Sequence, residues 1–277
     1  MKKLTENCLS VITPRPKISH KGTFGRVVLI GGDHQYGGAI IMAAEACLKA
    51  GSGLVTVVTN QRNHTALHTR LPEAMVVDWE DQTTLDSVFA SADICLIGPG
   101  LGLSEKSLAL LTHVLASQKE KQWFIIDGSA ITLLAENPLK IRFPKQVIFT
   151  PHQMEWQRLS GLTIKHQTPE KNLEVQNKLN SILVLKSHQT VIYSQLGVFQ
   201  NPLGNPAMAT GGTGDTLAGI IAGFLAQFPR EIETIHAAVY LHSYIGDLLS
   251  KEGYVVLPTE ISAALPYWMK YFADRCN

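Results

Sequence analysis

Residues 204–227 read GNPAMATGGTGDTLAGIIAGFLAQ. Leu217, Ile220, Ile221, Phe224 and Leu225 fall at i, i+3, i+4, i+7 and i+8, the apolar face of a helix. Gly211, Gly212 and Gly214 are then expected just before its N-terminus, with Asp215 beside them. A helix start presents unpaired N–H groups and a partial positive charge, and glycine lets an anion approach them closely. The pattern predicts an anion hole, with phosphate as its occupant. A carboxylate in that position repels a phosphate that is only bound. It makes chemical sense as a general base that takes a proton from a hydroxyl attacking the phosphate, a contribution of roughly 10²–10⁴ in rate. The glycine N–H groups would then hold the charge that builds on the transferring phosphoryl group. The local pattern fits equally an Asp that caps a helix after a glycine turn. No Gly-Lys-Ser/Thr is present, so this is not a Walker loop, and Gly98-Pro99-Gly100-Leu101-Gly102 lacks the GxGxxG spacing of a Rossmann dehydrogenase.

Outward from this stretch, short Val- and Ile-rich runs recur at 27–32, 54–59, 94–100, 123–128, 147–151 and 182–186. They are continuous rather than alternating, as for strands buried on both faces of a parallel sheet. Helical segments are predicted at 37–53, closed by glycines, at 104–118 behind a Ser104 cap, and at 168–180 behind a Thr168 cap with Pro169 next. Residues 190–194 and 197–201 read as a hairpin, followed by apolar helices at about 213–227 and 232–250. The alternation implies an α/β fold, a mostly parallel sheet with helices on both faces. No repeat or linker interrupts it, so residues 1–277 read as one domain with an N-terminal arm over 1–20. Ligands bind such sheets at the carboxyl ends of the strands. Gly31-Gly32, Gly98-Pro99-Gly100, Asp127-Gly128, Thr150-Pro151-His152 and Lys186 all fall there.

A formal net charge of +1 argues against nucleic acid or an anionic membrane as the main partner. Cys8, Cys47, Cys95 and Cys276 are scattered and form no CxxC, so neither a zinc site nor a disulfide framework is suggested. The N-terminus has no apolar signal region, and no run offers the roughly 20 apolar residues of a membrane span. A cytoplasmic protein is the expectation.

The stretch at 204–227 resembles the signature of the ADP/ATP-dependent NAD(P)H-hydrate dehydratases, members of the ribokinase-like superfamily. Further blocks are similar to that family in the same order. They are KGTFGRVVLIGGDHQYGGAIIMAAEACLKAGSGLVTVVT, IGPGLG, TPHQMEWQRLSG, LKSHQTVI, AAVYLHSYIGD and PTEISAALP, which together run from Lys21 towards the end. The resemblance implies a ribokinase-like fold. It implies an enzyme that uses ADP or ATP, with Mg²⁺, to phosphorylate the ring hydroxyl of hydrated NADH or NADPH, after which phosphate leaves and NAD(P)H is restored. Carried over by motif, Asp215 is the base and contacts substrate. Ala39, Gly100 and His152 also contact substrate. Lys186, Ser187, His188, Gln189, Thr190 and Gly214 contact the adenine nucleotide, and Gly211 and Gly212 complete the anion hole with Gly214. Glu155 matches an acid linked to Mg²⁺ through water. Asn205 and Asp127 lie in the same region with no role assigned. The chain departs from the family where Asp127-Gly-Ser-Ala-Ile131 replaces the usual Asp-Ala-Asp-Ala-Leu, so the second acid is absent. His152-Gln-Met-Glu155 likewise replaces the usual His-Pro-Gly-Glu. The resemblance also implies a homo-oligomer and a separate NAD(P)H-hydrate epimerase as pathway partner. A vitamin-type kinase, such as a hydroxyethylthiazole kinase, shares the fold and the glycine-Asp logic and is the competing reading.

Overall fold

The computed structural model of the chain describes residues 1–275, and Cys276 lies outside them. Among the described residues ten strands occur: β1 Lys2–Lys3, β2 Arg26–Ile30, β3 Leu54–Thr59, β4 Met75–Asp78, β5 Ile94–Ile97, β6 Trp123–Ile126, β7 Val147–Phe149, β8 Ile182–Leu185, β9 Val191–Ser194 and β10 Gly197–Gln200. The helices are α1 Gly37–Lys49, α2 His64–Arg70, α3 Gln82–Ala90, α4 Glu105–Ala116, α5 Gly128–Glu136, α6 Gln153–Ser160, α7 Pro169–Leu179, α8 Thr213–Gln227, α9 Ile232–Leu249 and α10 Pro258–Arg275. The strands form one sheet in the order β1-β10-β9-β8-β7-β6-β5-β2-β3-β4. Strands β2 to β8 are mutually parallel, and β9 runs against both β8 and β10.

The period of two along each strand divides the apolar runs between two cores. Val27, Leu29, Ile94, Leu96, Ile125 and Val184 face α1, α8, α9 and α10. Val28, Ile30, Cys95, Ile97, Phe124 and Leu183 face α3, α4, α5 and α6. That is why the runs carry no polar alternation.

Six expected strands are present, but most end earlier than the apolar runs suggest. The overrunning residues, Gly31, Gly98, Asp127, Thr150 and Lys186 among them, leave the ladder and form the loops at the carboxyl edge. The caps at Ser104 and Thr168 accept from Ser107 and Lys171 N–H groups as expected. The N-terminal arm is part of the fold. Lys2 and Lys3 pair with Phe199 and Gln200, and Leu4, Leu9 and Ile12 are buried in the core. Burial pushes the Cys47 thiol up to about 12, consistent with an inert core residue. No helix among the described residues is long and apolar enough to cross a membrane.

Helix α8 crosses α1 at very short range. A Cβ on Gly219 would collide with the Ala43 carbonyl, and one on Gly223 would press on Ala50 and Cys47. This contact fixes the first turn of α8, and therefore Asp215, against α1. The apolar surfaces of α8 and α9 are thus buried within the chain rather than free for a second copy. Gly219→Val is expected to lower stability by about 3 kcal/mol or more, because the overpacking meets backbone that cannot yield. Thermal unfolding measures it, and an unchanged midpoint would show that the crossing tolerates a wider spacing.

Candidate active site

The order β5-β2-β3 makes a topological switch point, because the chain leaves β2 towards β3 and β4 and returns on the other side at β5. The two loops that part there touch. Gly32 N–H donates to the Pro99 carbonyl at 2.9 Å, and Asp33 N–H to the Gly100 carbonyl at 2.6 Å. Gly100 holds φ +59, and a Cβ there would lie 3.1 Å from that of Ala39 in the first turn of α1. Ala39 and Gly100, both half-buried, therefore sit together where the two loops part.

A hollow of about 730 Å³ lies beyond the ends of β7 and β8. His152, Lys186, Ser187, His188, Thr190 and Gly214 all line it. Residues 187–190 form the turn between β8 and β9, in which Ser187 Oγ donates to the Gln189 carbonyl and accepts from Gln189 N–H. Gln189 is directed elsewhere, since its side-chain oxygen accepts from Gln200 on β10 at 2.8 Å.

The first turn of α8 joins the two regions. Gly212, at φ +95, caps the helix and packs against Met42, one turn beyond Ala39 on α1. A Cβ at Gly214 would lie 3.0 Å from the Lys186 ammonium. Gly214 and Asp215 lie inside the first turn rather than before it. Their N–H groups belong to the helix start, where no carbonyl four residues back is in helical position. Gly211 is exposed with open space around it.

Three acids surround one ammonium. Lys186 Nζ donates to Asp127 Oδ1 at 2.7 Å, and Thr150 Oγ1 donates to the same oxygen at 2.7 Å. Burial pulls the Lys186 pKa down, but Asp127, Glu155 and Asp215 outweigh it and hold the pKa above its usual value. For Asp215 the balance is reversed. Burial first, then the negative charges of Asp127 and Glu155, push its carboxyl up to about 7 against the pull of Lys186. A carboxyl poised near neutrality is suited to general-base work.

His152 is the N-cap of α6. Its Nδ1 accepts from Met154 and Glu155 N–H groups, which assigns the proton to Nε2. The cap is reciprocal, because Glu155 Oε2 accepts from His152 N–H at 2.8 Å. His152 Nε2 lies 3.3 Å from the other Glu155 oxygen. Asn205 is also engaged, donating to Asp247 on α9 and accepting from Ala207 N–H in its own loop. No cluster of three or more His, Cys, Asp or Glu placed to hold a metal occurs among the described residues.

One wall residue has no counterpart in the sequence reading. His242, on α9, is buried with its Nε2 unpartnered, beside Lys186 and the Thr213 backbone. Its signal was its place in AAVYLHSYIGD, where Val239, His242 and Ser243 share the helix face that closes the hollow. Burial lowers the pKa of His242 and of His236 to about 4. An unfolded histidine titrates near ~6.5. As pH falls through ~6.5 the unfolded chain takes up protons that the folded chain refuses until about pH 4, so stability is lost across that window. His236→Phe, which retains a ring against Phe199, is expected to make that loss shallower in denaturation series at stepped pH. An unchanged slope would show that His236 is not held neutral.

The profile of the NAD(P)H-hydrate dehydratase family matches residues 27–267. An ADP-dependent (S)-NAD(P)H-hydrate dehydratase of Enterococcus faecalis is 59% identical over 99% of this chain and 94% of its own length. One of Staphylococcus aureus is 47% identical over 94% of each chain. The crystal structure of a ribokinase-like superfamily protein from Enterococcus faecalis superposes with TM-score 0.97 at 58% identity, covering 99% of this chain and 96% of that one. The ADP/ATP-dependent NAD(P)H-hydrate dehydratase of Bacillus subtilis, co-crystallised with ATP/Mg²⁺, superposes at 0.84 with 30% identity, covering 96% of both. A hydroxyethylthiazole kinase from Pyrococcus horikoshii, at 0.64 and 12% identity, shares the fold alone. Its strand order, its glycine-Asp helix start and these likenesses place the chain in the NAD(P)H-hydrate dehydratase family, with a ribokinase-like fold.

Proposed function

We propose that this chain dehydrates the S-epimer of hydrated NADH or NADPH in a nucleotide-dependent reaction that returns NAD(P)H. The observation that carries the reading is Asp215. Its carboxyl, pushed up to about 7, stands in the first turn of α8 beside Gly214 and Lys186, on a helix packed against α1. The adenine nucleotide occupies the hollow lined by the 187–190 turn, with its terminal phosphate at Gly214 and Lys186. The hydrated nicotinamide lies over Ala39 and Gly100, its ring hydroxyl at Asp215. Asp215 takes the hydroxyl proton while the oxygen attacks the terminal phosphorus, and the bond from phosphorus to the nucleotide breaks. Hydroxide is a poor leaving group and phosphate a good one. The ring nitrogen lone pair then expels phosphate, and loss of a proton from the adjacent ring carbon restores the double bond.

ADP is the nucleotide of this reading, since close relatives carry ADP-dependent in their names. Mg²⁺ would enter on the nucleotide phosphates and keep several waters, as that ion commonly does. Both Glu155 oxygens already face His152, so Glu155 would reach the ion only through water. The reading also has the chain working in the cytoplasm, as a homo-oligomer, alongside a separate epimerase that interconverts the two hydrate epimers.

Product analysis separates this from a vitamin-type kinase. With the S-epimer and ADP, inorganic phosphate, AMP and NAD(P)H should form in equal amounts. A stable phosphorylated alcohol made from a vitamin-like substrate, with no action on the hydrate, would favour the kinase.

A further inference from the structure

Asp127 stands at the end of β6 with 2% of its side chain exposed. One of its oxygens accepts from both Thr150 Oγ1 and Lys186 Nζ. Thr150 is wholly buried at the end of β7, and Lys186 lies at the end of β8, joined to the 150–152 turn by its N–H bond to the Pro151 carbonyl. Three adjacent strands thus converge on one carboxylate. The ammonium it holds rests against Gly214. The charged groups facing that ammonium are Asp127 from β6, Glu155 from α6 and Asp215 from α8, and its hydrogen bond is to Asp127. Asp215 is faced by the same Asp127, Glu155 and Lys186. A lysine on a flexible stem, given two nearby carboxylates, pairs with whichever is better placed.

We infer that Asp127 is a positioning residue. Backed by Thr150, it holds the Lys186 ammonium at the first turn of α8, where a phosphate would sit, and keeps it from closing onto Asp215. The inference rests on the proposed dehydratase reading for where the phosphate and the base lie. With Gly128-Ser129 following it, Asp127 is the acid of this loop that holds Lys186.

The test uses the full chain with Asp127→Asn, Thr150→Val and Thr150→Ser, scored by ADP affinity at equilibrium and by initial rates against pH. Asp127→Asn is expected to weaken ADP by about tenfold or more, the loss of an ordered charge-assisted contact, while the KM for hydrate stays near wild type. Its acid limb should move to lower pH, because Asp215 loses a negative neighbour and gains the freed ammonium. Thr150→Val should weaken ADP in the same direction by a smaller factor, and Thr150→Ser, which keeps the hydroxyl, should restore it. If Asp127→Asn does not fold, the Thr150 pair carries the test. Wild-type ADP affinity and an unmoved acid limb in Asp127→Asn would overturn the inference. So would a loss of kcat and stability with both KM values and the pH profile unchanged. A wild-type chain that binds ADP but does not turn over the hydrate defeats the dehydratase reading instead, and the ADP affinities of the variants still decide the role of Asp127.

Discussion

Asp215→Asn lowers turnover by roughly 10²–10⁴ while ADP still binds, because the amide keeps the shape of the first turn of α8 but cannot take the hydroxyl proton. In the unsubstituted chain the rate should rise as pH passes through about 7, where the buried carboxyl ionises. The same substitution should stabilise the nucleotide-free protein at pH 8. The folded pKa of Asp215 is raised, so between the ordinary carboxyl range and about 7 the unfolded chain ionises and the folded chain does not. Stability is therefore lost as pH rises through that window, and Asn removes the loss. A variant that is both dead and more heat-resistant identifies a residue held in a costly state for function. Retained turnover would remove Asp215 from the role of base, and a variant less stable at pH 8 would show that its carboxyl is not strained by burial.

Lys186→Met should weaken ADP about 10- to 100-fold, the usual worth of a hydrogen bond to a charged group. It should also cost the folded state about 3 kcal/mol or more, because Asp127 is left as an unpaired buried carboxylate. The two effects separate in a double variant. Asp127→Asn combined with Lys186→Met removes both charges, so stability should recover while ADP binding stays weak. Isothermal titration and thermal unfolding read them independently. If stability does not recover in the double variant, its loss comes from the packing of the Lys186 stem rather than from the unpaired Asp127, and an unchanged ADP affinity in Lys186→Met would show that the ammonium serves no phosphate. Lys186→Arg is not a conservative control here, since the planar guanidinium is too broad for a seat bounded by Gly214 and Asp127.

How far the molecule was legible from its sequence follows from how local each feature is. The Val- and Ile-rich runs announce buried parallel strands because both faces of each are covered. Their ends were misplaced by a few residues, since hydropathy does not record where Gly31, Gly98 or Lys186 leaves the ladder. β4, MVVD, is a half-exposed edge strand with little apolar signal, and β1 is a two-residue pairing whose partner lies at Phe199–Gln200. α10 runs through Pro266, which reads as a breaker. In the site, the glycine turn and Asp215 are contiguous, and a local pattern suffices to mark them. The bond between Asp127 and Lys186 spans 59 residues, and the contact of Gly212 with Met42 depends on α8 crossing α1. His242 looks like an ordinary histidine in an apolar helix until α9 is seen to close the hollow. These placements come from the order of strands in the sheet, which no single segment carries.

The purified chain, mixed with the S-epimer of hydrated NADH, Mg²⁺ and ADP, can be followed at the absorbance band of reduced nicotinamide. The expected result is a rise that requires the nucleotide and disappears in Asp215→Asn. A flat trace with ADP and with ATP, from protein shown to be folded and to bind nucleotide, would mean that the chain is not a hydrate dehydratase.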